Sequence, residues 1–164
     1  MSYSIAGARG TIQDPGATVA RALDWATQHG GEVLLADATV VFGRDHLETS
    51  VRHALRAQAA GRIVAHSLSM ETLRYIAARR QVSEAIAVAG IRSETKTIAI
   101  VTFGPASPDR LIELLGWRRD DDVLKADRKS IAILGITEEE AATIPEERRA
   151  DLVLEKVALL DIPK

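Results

Sequence analysis

The side chains with the most obvious chemistry crowd one stretch. Between Arg44 and Arg80 lie Arg44, Arg52, Arg56, Arg62, Arg74, Arg79 and Arg80, with His46, His53 and His66, against only Asp45, Glu48 and Glu71 as acids. A planar guanidinium can fork onto a phosphate or stack on a base. Arg52 and Arg56 stand four apart, so on a helix they share a face, with His53 beside them. Arg74, Arg79, Arg80 and Gln81 fall around a junction between two predicted helices. Such a cluster fits a polyanion. Tyr75 is the only aromatic residue in the stretch, so a platform that stacks several bases is not expected. The tail from Asp120 carries the opposite sign, with Asp120-Asp121-Asp122, Glu138-Glu139-Glu140 and Glu146-Glu147. Solvated helix faces of differing sign would give the same pattern.

Other chemistry is poorly supported. His46 and His53 lie seven residues apart, about 10 Å along a helix, too far to ligate one ion together. No HExxH pattern is present, and no metal site is expected. Three successive aspartates point in diverging directions, so Asp120 to Asp122 read as a solvated loop rather than a Mg²⁺ site. Gly7-Ala8-Arg9-Gly10 has neither the phosphate-loop nor the dinucleotide-binding glycine spacing, and no nucleophile elbow occurs. The chain has no cysteine, which excludes disulfides and thiolate chemistry. A binding or regulatory module without a cofactor is favoured over an enzyme.

The elements that would position these residues follow from periodicity. The chain has 164 residues, 46% of them hydrophobic, which suits one domain over residues 1–164 with a buried core. Its apolar runs, such as Ile98 to Val101, are far shorter than the roughly 20 residues of a membrane span. The start, from Met1 to Ile5, lacks a basic n-region, and with no disulfides a cytoplasmic location is expected. Strands are predicted over Tyr3 to Arg9 and Thr95 to Phe103, with one or two more between Glu32 and Phe42. Helices are predicted from Gly16 to His29, Arg44 to Ala60, after a Ser69 cap, and from Val82 to Ala89. Further helices are expected from Asp109 to Leu115, Asp127 to Leu134, after the Thr137–Glu140 capping box, and from Pro145. Without a regular βαβ alternation the fold class is α+β (mixed α/β), one sheet with helices packed on it.

Several of these pieces occur in a recognisable order. His46-Leu47 opens a helix with Ala54 and Ala57. Ser69-x-Glu71 with Leu73 follows, then Arg80-Gln81-Val82 with Glu84-Ala85-Ile86, then Gly90-Ile91, and at the end Leu152 to Asp161. This succession, over roughly Val33 to Ile162, resembles the small regulatory subunit of the KEOPS complex, the TPRKB (PRPK-binding protein) family, whose archaeal and fungal members are called Cgi proteins. The chain's compact length looks archaeal. The resemblance implies a mostly antiparallel central sheet and a non-catalytic role in making threonylcarbamoyl-adenosine in tRNA. It implies direct binding to the complex's small atypical kinase/ATPase subunit, indirect attachment to the transferase subunit, and help in recruiting tRNA by its 3' CCA end. No membrane or DNA partner is implied.

No family motif assigns individual residues. Charge and helix position make Arg52, His53, Arg56, Arg74, Arg79, Arg80 and Gln81 the candidate tRNA contacts. Val157, Leu160 and Ile162, and apolar positions of the helix from Arg44, are the candidate kinase contacts, because such interfaces are apolar at their centre. A core role would explain the same residues. Two other readings stay open: an enzyme whose acid–base pair is distant in sequence, and a scaffold that makes protein contacts only.

Overall fold

A computed structural model describes residues 2–163. In chain order its elements are β1 (Tyr3–Arg9), α1 (Pro15–Gln28), β2 (Glu32–Asp37), α2 (Arg44–Ala59), α3 (Leu68–Ala77), α4 (Val82–Ala89), β3 (Thr97–Phe103), α5 (Pro108–Leu114), β4 (Arg118–Arg119), α6 (Glu138–Ala142) and α7 (Arg149–Leu159). The fold class is α+β. The chain groups into two units, one of Met1–Thr39 with Gly90–Leu124 and one of Val40–Ala89 with Lys125–Lys164.

The first unit holds the sheet, in the order β2-β3-β1-β4, with every pairing antiparallel. The β-branched run of β3 takes the centre, where it pairs on both sides and is buried beyond Thr97. Ile98 and Ile100 pack into one cluster with Trp25, Ala22 and Ala26 of α1, Val33 and Leu35 of β2, and Leu111 of α5. Asp14 starts α1 by accepting from the Ala17 N–H at 3.0 Å, with Pro15 in the first turn. The α1–β2 connection closes tightly: a Cβ added at Gly31 would lie 1.9 Å from the Phe103 carbonyl oxygen.

The second unit is helical. Its α2 buries His46, Leu47, Ser50, Val51, His53, Ala54 and Ala57, a stripe at helical spacing. Phe42, Leu134, Ile136 and Val153 form a further cluster, with Val88, Ile131 and Leu152 packed against it.

Of the one or two strands expected between Glu32 and Phe42 one forms, β2, because the Asp37 carboxylate accepts from the Thr39 N–H and hydroxyl and turns the chain into a 3-10 turn over Ala38–Val40. Elsewhere the structure departs from the sequence expectations. Ser67, not Ser69, caps α3; its hydroxyl accepts from the Met70 N–H, while Ser69 lies buried inside the helix. Between Asp127 and Leu134 only a 3-10 turn forms, over Ile131–Leu134, after Arg128 takes a left-handed conformation at φ 64°. Pro145 leads into a 3-10 turn over Glu146–Arg148, and α7 begins at Arg149. No helix among the described residues is long and apolar enough to cross a membrane.

Candidate partner-binding surfaces

The inward stripe of α2 forces its remaining positions outward. The Arg52 side chain is 65% exposed, and Arg56 is exposed one turn on. Glu48 sits four residues from both Arg44 and Arg52, at 3.4 and 3.9 Å, and partly offsets them. Arg56 pairs with no carboxylate among the described residues. Arg62, just beyond the helix, is exposed as well.

The histidines of α2 point the other way. His46 is fully buried. Its Nδ1 accepts from the Phe42 N–H at 3.0 Å, which leaves Nε2 to donate to the Ile76 carbonyl at 3.0 Å. Burial pushes its pKa down to about 4; the Ile76 carbonyl opposes this and the Lys129 charge adds to it. His53 is nearly buried, stacks on Tyr75 at 5.2 Å between ring centroids, and bonds through Nδ1 to Asp161 Oδ2 at 2.5 Å. The Tyr75 hydroxyl donates to the other oxygen of Asp161 at 2.6 Å. Partial burial pushes the Asp161 carboxyl up, but the bonds from Tyr75 and His53 outweigh it and hold the group below the usual carboxylate range. Burial and the bond to Asp161 push the Tyr75 hydroxyl up.

Arg74 lies inside the unit, with only 6% of its side chain exposed. Its Nη1 donates to Glu71 Oε1 at 2.8 Å and its Nε to the Arg80 carbonyl at 2.5 Å. Glu71, 1% exposed, also accepts from the backbone N–H groups of Val64 and Ala65. Arg79 and Arg80 are half-buried. Arg79 donates to the carbonyls of Ala77, Ala78 and Ile133. Arg80 donates to those of Leu159, Leu160 and Ile162. Gln81 is exposed, and its carbonyl accepts the Ala85 N–H at the start of α4.

The charged candidates therefore divide. Arg52, Arg56 and Gln81 face solvent, whereas His53 and Arg74 are held inside the unit and Arg79 and Arg80 cap carbonyls. The apolar candidates divide too. Val157 is fully buried, which puts it in the unit's own core and out of a partner's reach; Leu160 is half-buried; Ile162 is 56% exposed. Leu47, Val51, Ala54 and Ala57, the buried apolar positions of α2, are core as well. Sequence spacing did not single out Val64, Ile133 and Leu159, large apolar side chains that the unit leaves exposed; Ile86, in the middle of α4, is at helical spacing with the buried Ala85 and Ala89 yet is exposed as well. Glu71 had a signal that could have been used: it stands three residues before Arg74 and is one of the few acids among the arginines.

Phe42, Ile131 and Ile136 line a cleft of about 670 Å³ in the same unit. Its charges are of both signs, with Arg128 and Arg149 against Glu138, Glu146 and Glu147, and favour neither a cation nor an anion. In the sheet unit two of the three successive aspartates are paired rather than merely solvated. Asp120 bonds Arg9 at 2.6 Å, and Asp121 accepts from the Gly7 N–H and from Arg119.

An outward basic face, exposed apolar side chains and ionisable groups spent on internal bonds describe a protein that binds partners. Residues 13–157 match the family kinase binding protein CGI-121, and the chain belongs to that family. No curated protein matches it.

Proposed function

We propose that this chain is the non-catalytic accessory subunit of a KEOPS complex, binding the small kinase/ATPase subunit directly and the transferase subunit through it, and helping recruit tRNA by its 3' CCA end for threonylcarbamoyl-adenosine formation. Membership of a kinase-binding family is the observation that carries this reading. The kinase contact is assigned to Leu160 and Ile162 with the neighbouring Leu159, since a partner would bury apolar surface that the fold leaves out. The RNA contact is assigned to Arg52 and Arg56, with Gln81 and the half-buried Arg79 and Arg80 at its margin, and with His53 and Arg74 as internal supports.

Fluorescence anisotropy with a purified tRNA transcript, intact and lacking its terminal CCA, at two salt concentrations tests the RNA half. Binding should fall when the CCA is removed and fall steeply with salt. Changing Arg52 and Arg56 to Glu should weaken it for every tRNA and lower the salt slope by about one per arginine removed. Equal weak binding of both transcripts would leave a scaffold that contacts proteins only. A titration with the purified kinase, including an Ile162→Ser variant, tests the other half.

A further inference from the structure

The last described residues present an oddity. Helix α7 ends at Leu159, and the chain beyond it shows Leu159 and Ile162 to solvent, 41% and 56% exposed. Side-chain burial of these two residues therefore does not hold the segment in place. Polar contacts do. One guanidinium, that of Arg80, donates to the carbonyls of Leu159, Leu160 and Ile162 at 3.4, 3.1 and 2.9 Å. These include carbonyls of the helix end that have no partner within the helix. Between them the Asp161 side chain takes its two bonds, from Tyr75 of α3 and His53 of α2. Arg80 is itself fixed, because Arg74 holds its carbonyl and Glu71 holds Arg74.

We propose that Arg80, Tyr75 and His53 form a latch that pre-orders residues 159–162 and so presents Leu159 and Ile162 to the kinase. These three are positioning residues, and the proposal rests on the reading that this apolar tip is a kinase contact. Ordering a loose segment at the moment of binding costs conformational entropy; a latch that has already ordered it removes that cost from association. The arrangement also explains why two branched aliphatic side chains stay in water on an ordered segment. They gain burial only when a partner covers them.

The test uses the full chain and the purified kinase, with two readouts: amide hydrogen exchange of residues 158–162 and kinase affinity by calorimetry. Tyr75→Phe keeps the ring stacked on His53 but removes one bond to Asp161. Arg80→Lys keeps the charge but replaces the planar fork, whose Nη1 and Nη2 reach the carbonyls separately, with a single nitrogen. Their combination should speed exchange of the segment at least tenfold, leave α2 and α3 unchanged, and weaken kinase binding about tenfold. Ile162→Ser should weaken binding with exchange unchanged. If the double variant unfolds, as its melting curve would show, Tyr75→Phe alone is read for the same pair of changes in smaller measure. Unchanged exchange in the latch variants overturns the latch. Faster exchange with unaltered affinity, while Ile162→Ser still weakens binding, overturns the positioning role and leaves the kinase contact standing. An Ile162→Ser variant that binds normally overturns the contact, and the positioning proposal with it.

Discussion

The sheet unit and the helical unit draw on a similar stock of aliphatic residues, yet they differ in what else they bury. Inside the sheet unit the buried polar residues are Asp37, Thr95 and Thr102. Inside the helical unit they are His46, Ser50, His53, Ser69, Glu71, Thr72 and Arg74. The reason lies in the backbone. A sheet satisfies its amides and carbonyls in its own ladder, so hydrocarbon can fill the space around it. Helices leave unpaired groups at every end, and loops between them add more. Here the Phe42 N–H, the Ile76 carbonyl, the Val64 and Ala65 N–H groups and the Arg80 carbonyl are each met by a buried side chain: His46 for the first two, Glu71 for the next two, Arg74 for the last. The helical unit folds with charges inside because its connections need them. It should therefore break by loss of charge, and the sheet unit by loss of space.

The largest effect is expected at Glu71. Glu71→Gln leaves the Arg74 guanidinium buried without its carboxylate, and removing one member of a buried pair costs about 3–5 kcal/mol. The urea midpoint should fall by that loss divided by an unchanged m-value. A loss under about 1 kcal/mol would mean that water reaches Arg74, and the contrast between the units would fail.

Acid offers the second test. His46 is neutral in the native state, with Nδ1 already accepting the Phe42 N–H, and its folded pKa lies near 4. The unfolded chain binds the proton near the ordinary histidine value. Stability from this group is whole above pH 6.5 and drains as pH falls, because the unfolded state takes the proton first; the loss reaches about 3 kcal/mol by pH 4. The wild-type urea midpoint should show this slope, and His46→Gln should lack it. A His46 ring that titrates near 6.5 by NMR would sink the prediction.

Local signals carried much of both units. The α2 stripe through Leu47, Val51 and Ala54 is a period, and the Asp14–Pro15, Ser107–Pro108 and Thr137–Glu140 starts are short-range chemistry that the structure reproduces. What stayed hidden depends on distance along the chain or on burial. Ser67 and Ser69 are equal candidates for a cap until tertiary packing places one of them inside. His53 and Asp161 are 108 residues apart, and no spacing rule joins them. Arg74 and Arg56 look alike as letters, yet one neutralises a buried acid and the other faces water. Charge density therefore located the basic stretch and could not sort its members.

Space should govern the sheet unit. Gly31→Ala drives a methyl into the Phe103 carbonyl, and that oxygen belongs to backbone at the end of the central strand. Either strand end must shift, at a cost of about 1–3 kcal/mol. Thermal unfolding would read it, with the substitution far milder in its electrostatic consequences than Glu71→Gln.

The smallest effect should come from the sheet unit's own ion cluster, which makes the sharpest control. Arg119 reaches Asp109 at 2.8 Å and Asp121 at 3.0 Å, distances close to the 2.8 Å of the Glu71–Arg74 contact. Its side chain is 40% exposed, however, and its partners are 62% and 48% exposed. Water already solvates all three groups, so the pairs gain little that solvent would not supply. Arg119→Ala should cost less than about 1 kcal/mol, and 1 M salt should erase most of that. Equal geometry with an effect several times smaller than that of Glu71→Gln would show that burial, rather than bond length, sets what a charge is worth in this protein. A loss comparable to the Glu71 variant would instead place the sheet unit among structures held by its surface charges.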